Sequence, residues 1–339
     1  MQHPVGAQYN PVTKRAELTD FAAVLFNKVQ LVTFPHVITA AYMTGGAMVM
    51  AVALWHLRRR RDGEAAELTP AYRKAVRVGA IVTLVASLGV IVSGDIQGKI
   101  MTEVQPMKMA AAEAHYDTSS HAPFSVLSIG NLEGTEAKHL IEIPGLLSYL
   151  GKGDVNAEIK GINDLQREYQ AKYSANPLTA DAKTNYTPNV PTTYWTFRLM
   201  IGAGLASMAT AILALWATRR TAMERDGGPA AAMRARWWHW MIVAAPLFPI
   251  AANSFGWIFT EVGRQPWTVF GLMTTATGVS PAVSATEVAI SLAVYTLVYA
   301  AAAVVEVKLF LHYIRLGAEA VPDPDHHSRD EDSPLVYAY

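Results

Sequence analysis

The side chains best placed for chemistry lie where a long apolar run meets charge. Glu261 and Arg264 follow directly on the uncharged run Trp237–Thr260. Ionisable groups at membrane depth are costly, and they commonly mark cofactor sites or the paths of ions and substrates. Arginine and tryptophan also anchor helix ends at the membrane surface. A purely structural role for this segment therefore stays open beside a functional one.

A histidine and a methionine occupy similar depths in two other apolar runs. His36 is five residues into the run that begins at Leu31, roughly 7–8 Å along a helix, and Met200 is six residues beyond Tyr194, roughly 9 Å. His/Met ligation gives a low-spin haem iron suited to electron transfer, and Arg198 would supply a cation for a haem propionate. Alternatively, His36 hydrogen-bonds a backbone carbonyl, and the match is a coincidence among thirteen methionines.

A second iron could be bound beside the charged pair. Glu261 offers a carboxylate ligand, Trp257 lies one helical turn before it and could pack on a ring, and Arg264 could pair with a propionate.

Lys108 and Glu113 lie in a segment of strong helix formers after the second apolar run. Residues five apart on a helix do not form a standard surface pair, so the two side chains are expected to act separately. The lysine could hold a polar head group, and the glutamate could accept a proton. The alternative is a solvated amphipathic helix without a site.

Five runs that lack Asp, Glu, Lys and Arg predict five membrane-spanning helices. The fold class expected is all-α, a polytopic membrane helix bundle with one large extracytoplasmic loop. The five runs are Leu31–Leu57, Val78–Gly94, Leu199–Thr218, Trp237–Thr260 and Val288–Val305.

Clusters of arginine and lysine predict the orientation of the bundle. Arg58–Arg61 and the segment Arg219–Arg236 are basic, which is typical of cytoplasmic loops. The expected organisation is an extracytoplasmic segment (1–30), two spans (31–97), an extracytoplasmic loop (98–192), three spans (193–317) and a disordered cytoplasmic tail (318–339). A loop of that length is either functional or disordered.

Composition narrows the cofactor classes. The sequence contains no cysteine, which excludes disulfides, iron–sulfur clusters, thiolate-bound zinc and covalently attached haem. A redox cofactor would have to be held by histidine, methionine or carboxylate. The first twenty residues have no signal-peptide pattern, and the expected partners are lipid and small molecules, with no nucleic acid.

Several strings, in this order, resemble cytochrome bd quinol oxidase subunit I, and the resemblance runs from residue 1 to about residue 317. The strings are Phe34–Gly45, Gly94-Asp95 with Gln105–Lys108 and Ala111–Glu113, Tyr186–Val190, Phe197–Met200 and Gly256–Trp267.

The resemblance implies haem ligands by position. His36 and Met200 would be the axial ligands of a low-spin haem b, and Glu261 would ligate a high-spin haem b with Trp257 beside it. A third haem, of the d type, belongs to the complete complex of this family.

The resemblance also implies a substrate and partners. Lys108 and Glu113 would belong to the loop that oxidises quinol, and the electrons would reduce oxygen to water. The family works beside a second subunit in the bacterial cytoplasmic (inner) membrane.

The departure from the family pattern lies at the start of the chain. Family members have four more helices ahead of this region, so we expect a truncated fragment, inactive by itself, or one half of a split subunit that needs the missing helices from another chain. A five-span transporter with Glu261 and Arg264 in its substrate path is the less favoured alternative.

Overall fold

The structure, a computed structural model, describes residues 2–10, 12, 15–59, 68–176, 179, 185–219, 235–280 and 282–318. Its helices are α1 (Phe21–Leu25), α2 (Lys28–Arg59), α3 (Thr69–Val104), α4 (Pro106–Glu113), α5 (Leu146–Lys152), α6 (Ile162–Tyr173), α7 (Val190–Ala217), α8 (Arg236–Ala244), α9 (Leu247–Gly263) and α10 (Ala285–Leu316). Its strands are β1 (Ala7–Asn10), β2 (Arg15–Leu18), β3 (Ser119–Ser120), β4 (Phe124–Gly130), β5 (Ala137–Ile143), β6 (Glu158–Ile159), β7 (Trp267–Val269) and β8 (Met273–Thr274).

The predicted helical membrane bundle is confirmed. Among the described residues, α2, α3, α7 and α10 are each long and apolar enough to cross a membrane, and α8 with α9 makes a fifth span bent by 40°. The break in that span was not predicted. It falls at Pro246, which has no N–H to continue the hydrogen-bond ladder of α8.

Helix α3 continues ten residues beyond the end of the predicted apolar run. The run ends at Gly94, before Asp95, but the helix ends at Val104. Lys99, one turn further on, places its ammonium 2.5 Å from the Asp95 carboxylate. The charge therefore ends the apolar stretch without ending the helix.

Helices α2 and α3 touch backbone to backbone. A Cβ atom added to Gly79 would lie 2.7 Å from the Gly46 carbonyl oxygen, and one added to Gly46 would lie 2.7 Å from the Thr83 hydroxyl. Small residues at a crossing let membrane helices approach this closely. Gly45, by contrast, faces open space, since nothing lies within 4 Å of an added Cβ.

The long loop is folded over the ends of α3 and α7. The segment of helix formers around Lys108 and Glu113 is helical as α4, and α5 and α6 lie further along the loop. The antiparallel pairs β4–β5 and β3–β6 were not expected. Helix α4 contacts α3, α7 and α9, and α5 contacts α3. The predicted disordered tail, after Ala318, and most of the basic segment before α8 lie outside the described residues.

Candidate functional site

Helix α4 is buried along its whole length. Pro106 begins it, at a position where a missing N–H costs nothing, and Ala114 ends it in the left-handed conformation, φ +48°. Lys108 and Glu113 are only 4% and 2% exposed. The alternative of a solvated amphipathic helix is therefore wrong. As predicted from their spacing, the two side chains face different neighbours.

Glu113 forms a buried ion pair with Arg198 of α7. The two side chains are 1% and 10% exposed, and a guanidinium nitrogen lies 2.6 Å from the carboxylate. The backbone N–H of Ser125 also donates to Glu113. Burial raises the pKa of Glu113 to about 7, against the opposing effect of Arg198. Glu113 can thus gain or lose a proton near neutral pH.

The Arg198 guanidinium has further partners on the loop. It donates to the Ala112 carbonyl and, at 2.5 and 3.0 Å, to the Ser125 carbonyl. It also lies 3.9 Å from the centre of the Tyr194 ring, in a cation–π contact. In the described residues this arginine ties the loop to α7, and its predicted role at a haem propionate stays a prediction.

Lys108 points from α4 toward the end of α9. Its ammonium lies 3.4 Å from the Thr260 carbonyl and 4.8 Å from the centre of the Phe259 ring. Burial lowers the pKa of Lys108 to about 8; Glu261 opposes this shift and Arg264 adds to it. The structure therefore brings Lys108 close to the charged pair at the end of α9, which the sequence did not predict.

A small cavity of about 10 Å³ lies between α4 and the segment after α9. Its lining includes Gln105, Lys108, Arg264 and Trp267. Two buried polar atoms on this lining, Gln105 Oε1 and Trp267 Nε1, have no hydrogen-bond partner among the described residues. Buried polar atoms are normally paired, so one acceptor and one donor here are left for a ligand. Both residues lie in the quoted strings, but the sequence analysis gave neither a role.

His36 is held by α3 through one ring nitrogen. Its Nδ1 lies 2.9 Å from the Ser93 hydroxyl, and the Val90 carbonyl also bonds the ring. A histidine that ligates a metal usually has its other ring nitrogen fixed in this way. The hydrogen bond to the Val90 carbonyl equally fits the alternative that His36 only bonds a backbone carbonyl and binds no iron. The geometry therefore suits an axial ligand, which stays a prediction.

Met200 lies against α9 at a glycine. A Cβ atom on Gly256 would be 2.9 Å from the methionine sulfur, so a larger residue there would force the Met200 side chain to shift. Gly202 and Gly204 of α7, like Gly45, have open space where a side chain would stand. His36 contacts α3 and Met200 contacts α9, so the contacts of the described residues do not join the two predicted ligands to each other.

The residues predicted for the second iron are more open. Glu261 pairs with Arg264 at 2.5 Å, and their side chains are 38% and 19% exposed. Trp257 is 69% exposed on the surface of α9. The pair exists as predicted, but the tryptophan faces away from the described part of the bundle. The iron-ligand role of Glu261 stays a prediction.

Comparison with known families decides which class of protein this arrangement belongs to. Residues 1–318 match the family described as cytochrome bd terminal oxidase subunit I. The chain belongs to this family. It is accordingly a multi-pass protein of the bacterial cytoplasmic membrane, and the transporter alternative has no support in the match.

Individual cytochrome bd proteins show the same relationship. The chain is 36% identical to cytochrome bd ubiquinol oxidase subunit 1 of Bacillus subtilis, over 99% of this chain and 67% of that protein. It is 26% identical to cytochrome bd-II ubiquinol oxidase subunit 1 of Escherichia coli, over 95% and 69%. The bd oxidase structure from Geobacillus thermodenitrificans superposes with a TM-score of 0.73 at 26% identity, over 94% and 65%. The chain thus spans about two thirds of the length of these relatives.

Proposed function

We propose that this chain oxidises membrane quinol at α4 and delivers the electrons to haem, as subunit I of a quinol:oxygen oxidoreductase. The observation that carries the proposal is the buried Lys108 of α4 beside a cavity whose lining has polar atoms without a partner among the described residues, with a second buried ionisable group, Glu113, on another face of the same helix. A site that binds a charged or zwitterionic solute does not need two groups whose pKa values are moved toward neutrality. A site that transfers protons needs such groups.

The pocket has the polar groups that a hydroquinone head group requires. A hydroquinone hydroxyl can donate to Gln105 Oε1, and its oxygens can accept from Trp267 Nε1 and the Lys108 ammonium. The lining also includes the aromatic side chains Tyr186 and Phe270. The cavity itself has a volume of about 10 Å³, room for about one water molecule, so a head group enters only when the lining moves apart.

Glu113 is the proposed proton acceptor. A general base works best when its pKa lies near the working pH, and that of Glu113 is about 7. Lys108, with a pKa of about 8, keeps a positive charge over the oxygen that becomes anionic when the proton leaves. Arg198 holds the carboxylate in place.

Haem supplies one-electron chemistry between the two-electron donor and oxygen. His36 and Met200 would hold a low-spin haem b, Glu261 would ligate a high-spin haem b, and Arg264 would pair with a propionate. The oxygen-reducing haem d and the second subunit belong to the complete oxidase that we propose this chain enters. The names of the relatives, cytochrome bd ubiquinol oxidases, support this assignment.

The test uses membranes that contain the complete native oxidase with Glu113→Gln. We expect rapid reduction of haem by dithionite to be unchanged and reduction by a short-chain quinol to be slowed by about 10²–10⁴-fold, the usual contribution of a general base. Glu133→Gln, which changes an exposed glutamate of the same loop, is the matched control. A normal quinol-driven rate in the Glu113 variant would remove this glutamate from the reaction.

A further inference from the structure

A buried base must dispose of each proton it accepts before it can act again. Glu113 is almost fully enclosed, and oxidation of one quinol releases two protons. The Arg198 cation covers one side of the carboxylate, and a cation does not accept a proton. The way out must therefore begin at another neighbour, and the neighbour seen in the structure is Ser125 on β4.

A chain of hydroxyl and imidazole groups runs from Ser125 to the surface of the loop. The hydroxyls of Ser125 and Ser128 are in direct hydrogen-bond contact. The Ser128 hydroxyl lies 2.5 Å from His139 Nδ1 on β5, and Ser125 Oγ lies 3.3 Å from the same nitrogen. Both serines are at most 3% exposed, whereas the His139 side chain is 28% exposed.

We propose that Ser125, Ser128 and His139 form the outlet by which a proton accepted by Glu113 reaches the aqueous face of the loop. This inference rests on the proposed function of Glu113 as the base for quinol.

The outlet depends on an irregularity in the strand. Residues three apart on a regular strand point to opposite faces, so Ser125 and Ser128 could not meet in an ideal β4. The β4–β5 pairing shifts register between Ser125 and Leu127 and again between Leu127 and Ser128. Such a bulge re-aims side chains, and here it buries both hydroxyls on the face toward α7.

The hydrogen-bonded groups of the outlet carry protons only, and each transfer breaks one bond to hydrogen as it forms another. The two O–H bonds of the hydroquinone break in turn, and each time an O–H bond forms on Glu113, which must lose the first proton before it accepts the second. The two electrons pass one at a time to the haem of the oxidase, and the hydroquinone leaves as quinone. Glu113 then protonates Ser125 Oγ, which passes its own proton to Ser128, and Ser128 passes one to His139 Nδ1. His139 releases the proton on Nε2 to water, so that one proton enters and one leaves.

The first of these transfers needs one local movement. The structure shows the Ser125 N–H, not its hydroxyl, in contact with Glu113. Because both groups belong to one residue, a turn about χ1 or a single bridging water joins the carboxylate to the hydroxyl. The Tyr194 hydroxyl, 3.1 Å from Ser125 Oγ, is a further polar partner at this junction.

The far end of the chain lies among other charged and titratable groups at the surface of the loop. His139 Nδ1 is 3.9 Å from the Glu142 carboxylate on its own strand, which is 37% exposed. From the segment after α4, His115 also faces His139, and Asp117 lies near His115. Histidine is the side chain that most readily exchanges protons near neutral pH.

Ser125→Ala is the sharpest variant because both routes to His139 pass through its hydroxyl. It keeps the backbone N–H that bonds Glu113 and the carbonyl that bonds Arg198. The assay is stopped-flow reduction of haem by short-chain quinol at pH 7, in membranes with the complete oxidase. We expect a loss of at least about tenfold in Ser125→Ala and His139→Ala, less than the 10²–10⁴-fold of losing a base itself. Ser128→Ala should lose less, since the 3.3 Å contact bypasses it.

Chemical rescue separates proton transfer from a structural role. Added imidazole should restore the rate of His139→Ala, whereas pyrazole, of similar shape but much weaker as a base, should not. His121→Gln, an exposed histidine of the same loop, should keep the wild-type rate. Dithionite-reduced spectra show whether each variant has assembled.

The outcomes distinguish this inference from the function on which it rests. If Glu113→Gln is slow while an assembled Ser125→Ala keeps the wild-type rate, the outlet is wrong and the quinol site stands. If His139→Ala is slow but imidazole and pyrazole act alike, the histidine is structural and the outlet is also wrong. A wild-type rate in Glu113→Gln would overturn both.

Discussion

Replacing Arg198 by methionine tests the electrostatics of the proposed quinol site most directly. Methionine keeps an unbranched, similarly long side chain but removes the charge 2.6 Å from the Glu113 carboxylate. An adjacent cation typically lowers the pKa of a carboxyl group by about 1–3 units. In the wild type the pKa of Glu113 is about 7, so about half of this group is ionised at pH 7. Without Arg198 the pKa should rise further.

The expected effect on rate follows from the ionised fraction. A pKa raised by about 1–3 units leaves about a tenth to a thousandth of Glu113 ionised at pH 7, so quinol-driven haem reduction should slow by about 5- to 500-fold. The direction of the pH effect follows from the proposed role of Glu113 as a base. A base works only when ionised, so the rate falls as pH drops through its pKa, and this acidic limb should move to higher pH.

The assay is the pH profile of haem reduction by quinol in native membranes, with dithionite reduction as the measure of intact haem. Arg198→Lys is the control. It keeps the positive charge near Glu113 but loses some of the hydrogen bonds that the guanidinium donates to the Ala112 and Ser125 carbonyls. Its acidic limb should stay close to that of the wild type. An assembled Arg198→Met protein whose limb does not move would refute the reasoning. A changed haem spectrum with an unmoved limb would instead favour the propionate role.

Four further predictions concern the haem site, the pocket, the bundle and its orientation in the membrane. Met200→Leu should abolish the low-spin α-band in the reduced-minus-oxidised spectrum, and an unchanged spectrum would exclude this ligand. Lys108→Met should raise the KM for quinol by about tenfold, the scale of one hydrogen bond to a charged group, whereas Lys172→Met, an exposed lysine on α6, should not. Gly79→Val should destabilise the detergent-solubilised protein by about 1–3 kcal/mol through overpacking, seen as a lower Tm; an unchanged Tm would contradict the tight contact of α2 with α3. Protease added to intact spheroplasts should cut the long loop and spare Arg58–Arg61, and the reverse pattern would invert the topology.

The sequence predicts the membrane helices well because their signal is local. Hydrocarbon cannot hydrogen-bond the backbone, so a long uncharged run has little choice but to be helical. The break at Pro246 was missed, although proline inside an apolar run is its recognised sign, and so was the continuation of α3 beyond Asp95 to Val104. The residue types of Lys108 and Glu113 likewise indicated separate roles, because their spacing on a helix is a property of α4 alone.

The surroundings of the site could not be predicted in the same way. Glu113, Ser125 and Arg198 meet across 12 and 73 residues of chain, and no periodicity in the sequence connects them. The strands β4 and β5 are short, and the bulge that turns Ser128 inward depends on pairing with residues beyond a turn. Burial of Lys108, which moves its pKa, likewise arises only when α9 packs against α4.

The contact of α2 with α3 at Gly46 and Gly79 also bears on how the protein is made. Helices enter the membrane in the order of synthesis, and these two are consecutive. Small-residue contacts hold helices together in lipid without any help from water, so the pair can form a stable hairpin before α7 has left the ribosome. His36 and Ser93 both lie on that hairpin. The His36 side chain can therefore be oriented early in biogenesis. Its predicted partner Met200 would then enter the membrane after His36 is already held by Ser93.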